Sequence, residues 1–297
     1  MPKISLLLPT RGRPHLVQRI FQSLISQTAN LEDIEVVLYV DDDDDRSHSL
    51  DCDGVRLVKI IGPRLSHGGY NTACLNRSSG EIIILMNDDV IVRTPGWDRI
   101  IIELAGTVPD GIFLAYANDL HMGKRMCTFP IVTRRACEVM ARPYPGEYQG
   151  GFIDWHLLDV FKRLKYKGYD RIFYLDQVVF EHLHFDSGKA EFDLTYQNRE
   201  RYEGDWTFVC LRELRQATAT RLHAAIMGEP LPPLPHESGL PSRPRNSIRV
   251  LLRYASVFFL DFALPVGERV RLFVWLTGRY LRFRGYLPPK RPAQKAD

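Results

Sequence analysis

Apolar residues along this 297-residue chain fall into short dense runs that alternate, over the first hundred positions, with longer periodic stretches. Ile4–Leu8, Val36–Val40, Val55–Ile61 and Glu81–Met86 are the dense runs. Such density predicts strands buried on both faces, as in the middle of a mostly parallel sheet. After the first run, Leu16, Val17, Ile20, Phe21, Leu24 and Ile25 recur at helical spacing behind Pro14, a residue suited to a first helical turn. A Gly-containing loop, Ser66-His-Gly-Gly-Tyr-Asn71, leads into a short helix ending at Arg77. Alternating β and α elements with short connections predict a doubly wound α/β layer.

The later pattern is less regular. It predicts a strand over Gly111–Tyr116, a helix over Asp154–Tyr166, one or two strands over Arg171–Leu183 and a helix over Asn198–Gln216. Gly228–Asn246 carries six prolines in 19 residues, which predicts a linker or an extended strap. Beyond it, Ile248–Leu264 is apolar around Arg249 and Arg253. Val270–Arg284 sets Arg271, Arg279 and Arg282 on one side of a helix and Leu272, Phe273, Leu276, Tyr280, Leu281 and Phe283 on the other. Two readings are open: a basic helix lying in a membrane interface, or a hairpin packed on the domain or in a dimer contact. The expected organisation is a catalytic domain over 1–227, a Pro-rich linker over 228–246 and a basic helical tail over 247–297.

Charge sharpens the view of that tail. The formal net charge of +3 divides into +9 from Arg243 onward and −6 before it, so the tail is where an acidic surface would bind. Five scattered cysteines with no CxxC pair argue against a disulfide framework or a zinc site and for a reducing compartment. There is no charged-then-apolar leader, and no run reaches the roughly 18 uncharged residues a bilayer span needs. The expectation is a cytoplasmic protein, peripheral on the cytoplasmic face of the membrane if the tail is interfacial.

The candidate chemistry sits where dense runs end. Asn87-Asp88-Asp89 closes the run Glu81–Met86, Asp41–Asp45 follows Val36–Val40, and Thr10-Arg11 follows Ile4–Leu8. In a parallel sheet these ends share the edge at which open α/β folds bind ligands. A carboxylate pair there suits a divalent cation, which commonly brings phosphates with it. Taken singly, each cluster also reads as a solvated turn or a helix cap. Five adjacent carboxylates repel one another unless some have partners such as hydrogen-bond donors or a cation.

Ile4-Ser-Leu-Leu-Leu-Pro-Thr-Arg11, then Tyr39-Val-Asp-Asp42, then Gly69-Tyr-Asn71 and Gly80-Glu-Ile-Ile-Ile-Leu-Met-Asn-Asp-Asp89, taken in order, resemble a GT-A glycosyltransferase of the large family 2 group of nucleotide-sugar transferases. The resemblance covers residues 1–100 well and 145–185 loosely. It implies a GT-A-like sheet and a nucleotide-sugar donor. Thr10 and Arg11 match the loop that holds the nucleotide, Asp41 the acid that meets the base, with Asp43 beside it, and Asn71 the Asn before the metal strand. Asp88 and Asp89 match the second and last positions of the metal motif, with Asp89 the ligand of Mn²⁺ or Mg²⁺ and Asp88 nearer the nucleotide. Asn87 stands where many members have Asp, which puts any role for that first position in doubt.

The family also places an acid at the start of a helix after a Gly-rich loop, to take the proton from the acceptor hydroxyl. Gly150-Gly151-Phe152-Ile153-Asp154-Trp155 fits, although Ile153 replaces a common Glu. Asp154 is the expected base, with helix capping as its coexisting alternative. Trp155 is a candidate lining residue of the acceptor pocket and Asp159 a fallback. His182 and His184 share one strand face and could add metal ligands, as a late histidine does in such enzymes. Asp119 and His121 are further acceptor candidates, and Asp193, Tyr196 and Asp205 candidates for ordering a loop over the site.

The expected activity is therefore metal-dependent sugar transfer to a hydroxyl acceptor, with inversion. The expected acceptor is a glycan or lipid-linked glycan of surface polysaccharide synthesis. A sugar nucleotidyltransferase would show more glycine after the first strand than Gly12 in Pro9–Pro14. A silent nucleotide- or glycan-binding module would have no use for Asp154 and Asp89. An NAD-linked enzyme lacks its GxGxxG after Ile4–Leu8.

Overall fold

Isoleucine, leucine and valine dominate the three strands at the heart of the fold, and almost none of their side chains reaches solvent. These are β1 (Ile4–Thr10), β2 (Ile34–Asp41) and β4 (Ile82–Leu85), with β3 (Arg56–Gly62) at the sheet edge beside β2. The computed structural model describes residues 2–183, 203–237 and 239–288. The eight-stranded sheet has the order β3-β2-β1-β4-β7-β6-β8-β5. The first four pair in parallel, with Leu6 beside both Val36 and Ile84. The helices α1 (Pro14–Gln27), α2 (Asp45–His48) and α3 (His67–Arg77) fall in the connections between those strands. This is the mostly parallel, doubly wound layer that the alternating pattern predicts.

The second half of the sheet departs from it. β7 (Pro130–Thr133) runs antiparallel to both β4 and β6 (Leu114–Asn118), and β6 is parallel to β8 (Ile172–His182). The three-residue strand β5 (Val90–Val92) then pairs antiparallel with the end of β8, Val90 opposite His182. Arg171–Leu183 thus forms one long strand rather than two.

Helices α4 (Trp97–Gly106), α5 (Arg134–Met140) and α6 (Ile153–Tyr166) cover the sheet. The single helix expected over Asn198–Gln216 is interrupted within its described part, where α7 (Glu203–Cys210) and α8 (Arg212–Met227) meet at Leu211.

The C-terminal appendage is helical and packs back on the domain. Its helices α9 (Ser247–Phe259) and α10 (Val266–Phe283) form a hairpin whose Val250, Tyr254, Phe258, Leu272, Leu276 and Tyr280 are buried in the same apolar cluster as α6 and α8. Leu272, Leu276 and Tyr280, on the stripe read as a possible membrane face, are therefore spent on the protein's own core. The proline-rich segment is likewise a strap: Trp206 donates to the Pro241 carbonyl (2.7 Å), Arg221 to that of Pro232 (2.5 Å), and Arg142 pairs with Glu237 (2.9 Å).

Candidate active site

The parallel register aligns the ends of β1, β2 and β4 at one edge, where three polar clusters meet. Thr10 donates its hydroxyl to Asp88 Oδ2 (2.9 Å), and Arg13 reaches Asp88 Oδ1 (3.0 Å). Arg11 is clamped between Asp41 and Asp43, meeting the Asp43 oxygens at 2.5 and 2.8 Å. Tyr70, on α3, donates to the other oxygen of the buried Asp41 (2.6 Å), and the Gly12 amide donates to Asp44 (2.6 Å). The acidic run is therefore tolerated because each of Asp41, Asp43 and Asp44 has a donor from β1's loop or from α3. Its bond to Arg11 holds exposed Asp43 below the usual carboxylate range. The same two acids raise Arg11 further, so the guanidinium stays charged.

The resemblance places Asp88 nearer the nucleotide; here its two oxygens accept from Thr10 and Arg13 and its side chain is buried. It ties β4 to the loop after β1. Burial pushes its carboxyl up to about 6, against the opposing pull of Arg13, with Asp89 adding to the rise. A raised acid pKa means that the folded state binds its proton more tightly than the unfolded chain, so stability falls as pH rises between about 4 and 6. Asp88→Asn is therefore expected to gain about 2–3 kcal/mol relative to wild type between pH 4 and pH 7. Urea unfolding of both proteins at the two pH values measures this.

Asn71 is buried, and its amide donates to the His67 carbonyl one turn back on its own helix (2.9 Å). Ser66 caps α3 by accepting from the Gly69 amide (3.0 Å). Gly68 has no substitute, because a Cβ there would lie 1.9 Å from the Pro145 carbonyl oxygen. That close approach lets the His67 and Gly68 amides donate to the carbonyls of Gln149 (3.3 Å) and Tyr148 (3.1 Å). The His67 ring meets the Gly150 carbonyl at 2.9 Å. α3 thereby joins the Asp41 cluster, through Tyr70, to the loop that delivers Asp154.

Asp89 and His182 come together although 93 positions separate them in the chain. The β5–β8 ladder starts directly after Asp89, and His182 ends β8. Nε2 of His182 lies 3.3 Å from Asp89 Oδ1, both side chains are nearly buried, and the Leu183 amide donates to the Asp89 carbonyl (2.8 Å). Two ligands of one octahedral cation, each at about 2.1 Å, stand about 3 Å apart, so the pair fits a shared Mg²⁺ or Mn²⁺. Among the described residues no group of three such donors is assembled. His184, Asp193 and Tyr196 lie outside the described residues. Asp119 accepts from the amides of His121, Met122 and Gly123 and from Thr128, so it builds the turn holding His121, whose ring lies 6.4 Å from that of His182.

Asp154 occupies the first turn of α6, which starts one residue earlier than expected, at Ile153, so Phe152 rather than Asp154 is the cap residue. Phe152 holds a left-handed φ of 89°, a conformation that costs a non-glycine residue about 1–3 kcal/mol. Packing maintains it: Trp275 of α10 stacks on Phe152 (5.7 Å) and also meets Trp155 (4.4 Å), so one tail residue grips both neighbours of the Ile153-Asp154 pair. Asp154 Oδ1 accepts from the Trp155 amide (2.8 Å), and a first-turn position favours a carboxylate. Trp155 thus supports α10 on the face that was expected to meet an acceptor.

Asp159 cannot be a fallback base. It is buried and shared by Arg163 (2.7 Å) and Arg215 (2.6 Å), while Arg163 also forks onto Asp261 of the tail turn (2.9 and 2.6 Å). Burial raises its carboxyl, but the two arginines outweigh this and bring it to about 2. Asp205 is bonded to Arg279 (2.9 Å).

Sequence reasoning missed Arg13, Arg19 and Tyr70. The TRGR spacing after β1 was the available signal for Arg13. Arg19, on the next turns of α1, is lowered by burial and drawn back up by Asp89 and Asp88.

No family model matches the chain. It is 28% identical over 105 residues, 32% of its own length, to the O-antigen biosynthesis protein RfbC of Myxococcus xanthus. It is also 28% identical over 114 residues, 35% of its length, to an uncharacterised protein, y4gI, of Sinorhizobium fredii. The matched parts make up only 8% and 12% of those two longer proteins. Among solved structures it is similar to the mannosyltransferase PcManGT of Pyrobaculum calidifontis in complex with GDP-Man and Mn²⁺, with a TM-score of 0.48 and 14% identity over 98% of this chain and 81% of that one. The glucosyl-3-phosphoglycerate synthase of Mycobacterium tuberculosis gives a TM-score of 0.48 and 15% identity over 72% and 79%.

Proposed function

We propose that this protein is a GT-A-like glycosyltransferase that moves a sugar from a nucleotide-sugar donor to a hydroxyl acceptor, with inversion. One observation carries the reading: Asp89 and His182 meet at the edge where β1, β2 and β4 end, beside the Arg11–Asp41–Tyr70 cluster. Two ligand-type side chains next to a charged, donor-rich edge suit a nucleoside diphosphate with its cation.

In this mechanism Arg11 and Asp41 orient the nucleoside, and Asp89 and His182 would hold the cation. A divalent cation bound there supplies positive charge to the departing diphosphate. Asp154 accepts the proton of the acceptor hydroxyl as that oxygen bonds to the anomeric carbon from the face opposite the leaving group. The bond from that carbon to the phosphate oxygen breaks with its electron pair, and nucleoside diphosphate leaves. A single displacement inverts the configuration. The proposed acceptor is a glycan or lipid-linked glycan, with the protein working at the cytoplasmic side of a membrane. Incubation with a panel of UDP-, GDP- and TDP-sugars and Mn²⁺ tests the reading: at least one is expected to release nucleoside diphosphate, and release from none would overturn it.

A further inference from the structure

The hairpin α9–α10 has two faces, and among the described residues it is the inner one that packs into the core. Of the 17 large apolar residues that stand exposed among the described residues, 11 lie between Ile248 and Leu287, so the exposure is a feature of this hairpin and not of the surface at large. Ile248, Leu252 and Phe259 recur along the outside of α9, Leu260 and Phe262 project from the turn, and Val266, Val270 and Val274 follow at every fourth position of α10. Leu252 is 64% exposed, Phe262 72% and Val274 62%, against at most 3% for Val250, Tyr254, Leu272 and Leu276 on the inner faces. Exposed apolar side chains concentrated in this way mark an interaction site.

The charges beside it identify the partner. Between residues 243 and 288 there are nine arginines and two carboxylates. Asp261 is buried against Arg163, and Glu268 is partly buried and shared by Lys162 and Arg271. Arg245, Arg249, Arg253 and Arg284 are exposed, two of them on the outside of α9 between the apolar positions. Apolar side chains ringed by arginines are the composition of an interfacial surface, in which aliphatic groups enter the acyl boundary and guanidinium groups meet lipid phosphates. A second copy of the same face is disfavoured, because a two-fold contact would bring Arg249 and Arg253 toward their own equivalents.

We propose that the outer face of the α9–α10 hairpin docks the protein onto an anionic phospholipid surface. The face differs from the Leu272–Leu276–Tyr280 stripe that the sequence pattern offered. It deepens the proposed function by placing a lipid-linked acceptor within reach: the inner face of the same hairpin holds Trp275 against Phe152 and Trp155, beside Asp154.

Sedimentation of the full chain with phosphatidylcholine vesicles, with and without phosphatidylglycerol, tests the docking without any nucleotide or sugar, so its failure is separate from failure of the transferase reading. Wild type is expected to sediment with the anionic vesicles and about tenfold less with neutral ones, with binding weakened at 0.5 M salt. Leu252→Glu with Phe262→Glu is expected to lower binding by about tenfold or more while leaving the thermal midpoint unchanged, since both side chains are exposed. Arg249→Gln with Arg253→Gln is expected to remove the preference for anionic lipid. Failure of wild type to bind anionic vesicles, equal binding by the Glu variant, or a dimer by light scattering that the Glu variant dissociates would each overturn the proposal.

Discussion

Asp154→Asn is expected to lower kcat by about 10²–10⁴-fold with little change in affinity for the nucleotide sugar, the range typical of losing a general base. Asn keeps the shape of the side chain and an acceptor for the Trp155 amide at the start of α6, so folding is preserved. What is lost is the ability to take a proton. Donor binding is assigned to the other end of the site, around Arg11 and Asp41, which explains the expected separation of kcat from affinity. Steady-state release of nucleoside diphosphate at several donor concentrations measures it. Retention of more than about a tenth of the wild-type rate would place the base elsewhere.

The second large effect concerns stability. Asp159→Asn is expected to cost about 3–5 kcal/mol, because removing one member of a buried ion network strands the charges that remain. Arg163 would keep Asp261, but Arg215 would lose its carboxylate and keep neutral neighbours, the Phe208 carbonyl and ring and Tyr148. At about 2–4 °C per kcal/mol for a chain of this size, the thermal midpoint falls by roughly 10 °C. The pH dependence has a definite sign. Asp159 is depressed to about 2, so its contribution is complete above about 4 and is lost as pH falls toward 2. The gap between wild type and variant should therefore narrow in acid. At 15 °C, where both are folded, the variant should keep far more activity than Asp154→Asn. An equal loss of kcat would return Asp159 to the list of bases.

The two carboxylates stand five positions apart, and their different fates show what a sequence can and cannot disclose. Asp154 was legible because a Gly-rich loop and a helix start are local signals. The commitment of Asp159 was not, since its partners Arg215 and, through Arg163, Asp261 lie 56 and 102 residues away. The strands β1, β2 and β4 were legible from their dense apolar runs. The strands β5 and β7 were not, because three or four residues carry no usable period and Pro130 reads as a turn. Those two strands insert the antiparallel part of the sheet, and β5 is what registers His182 against Asp89.

The tail illustrates a different limit. An apolar stripe reports that a helix face is buried without saying against what. In α10 the stripe through Leu272, Leu276 and Tyr280 faces the protein, and Val266, Val270 and Val274 form a second, exposed row that a single-helix reading overlooks. At the site itself, family position could not disclose that Asn71 donates to the His67 carbonyl or that Asp88 accepts from Thr10 and Arg13.

The central claim is that Asp89 helps to hold a cation and the diphosphate of a nucleotide sugar. Calorimetric titration of UDP and GDP into wild type and Asp89→Ala, each with Mn²⁺ and with EDTA, tests it most directly. The account predicts binding of at least one nucleotide by wild type only when Mn²⁺ is present, and its loss in Asp89→Ala. Binding that ignores Mn²⁺, or that survives undiminished in Asp89→Ala, would contradict it.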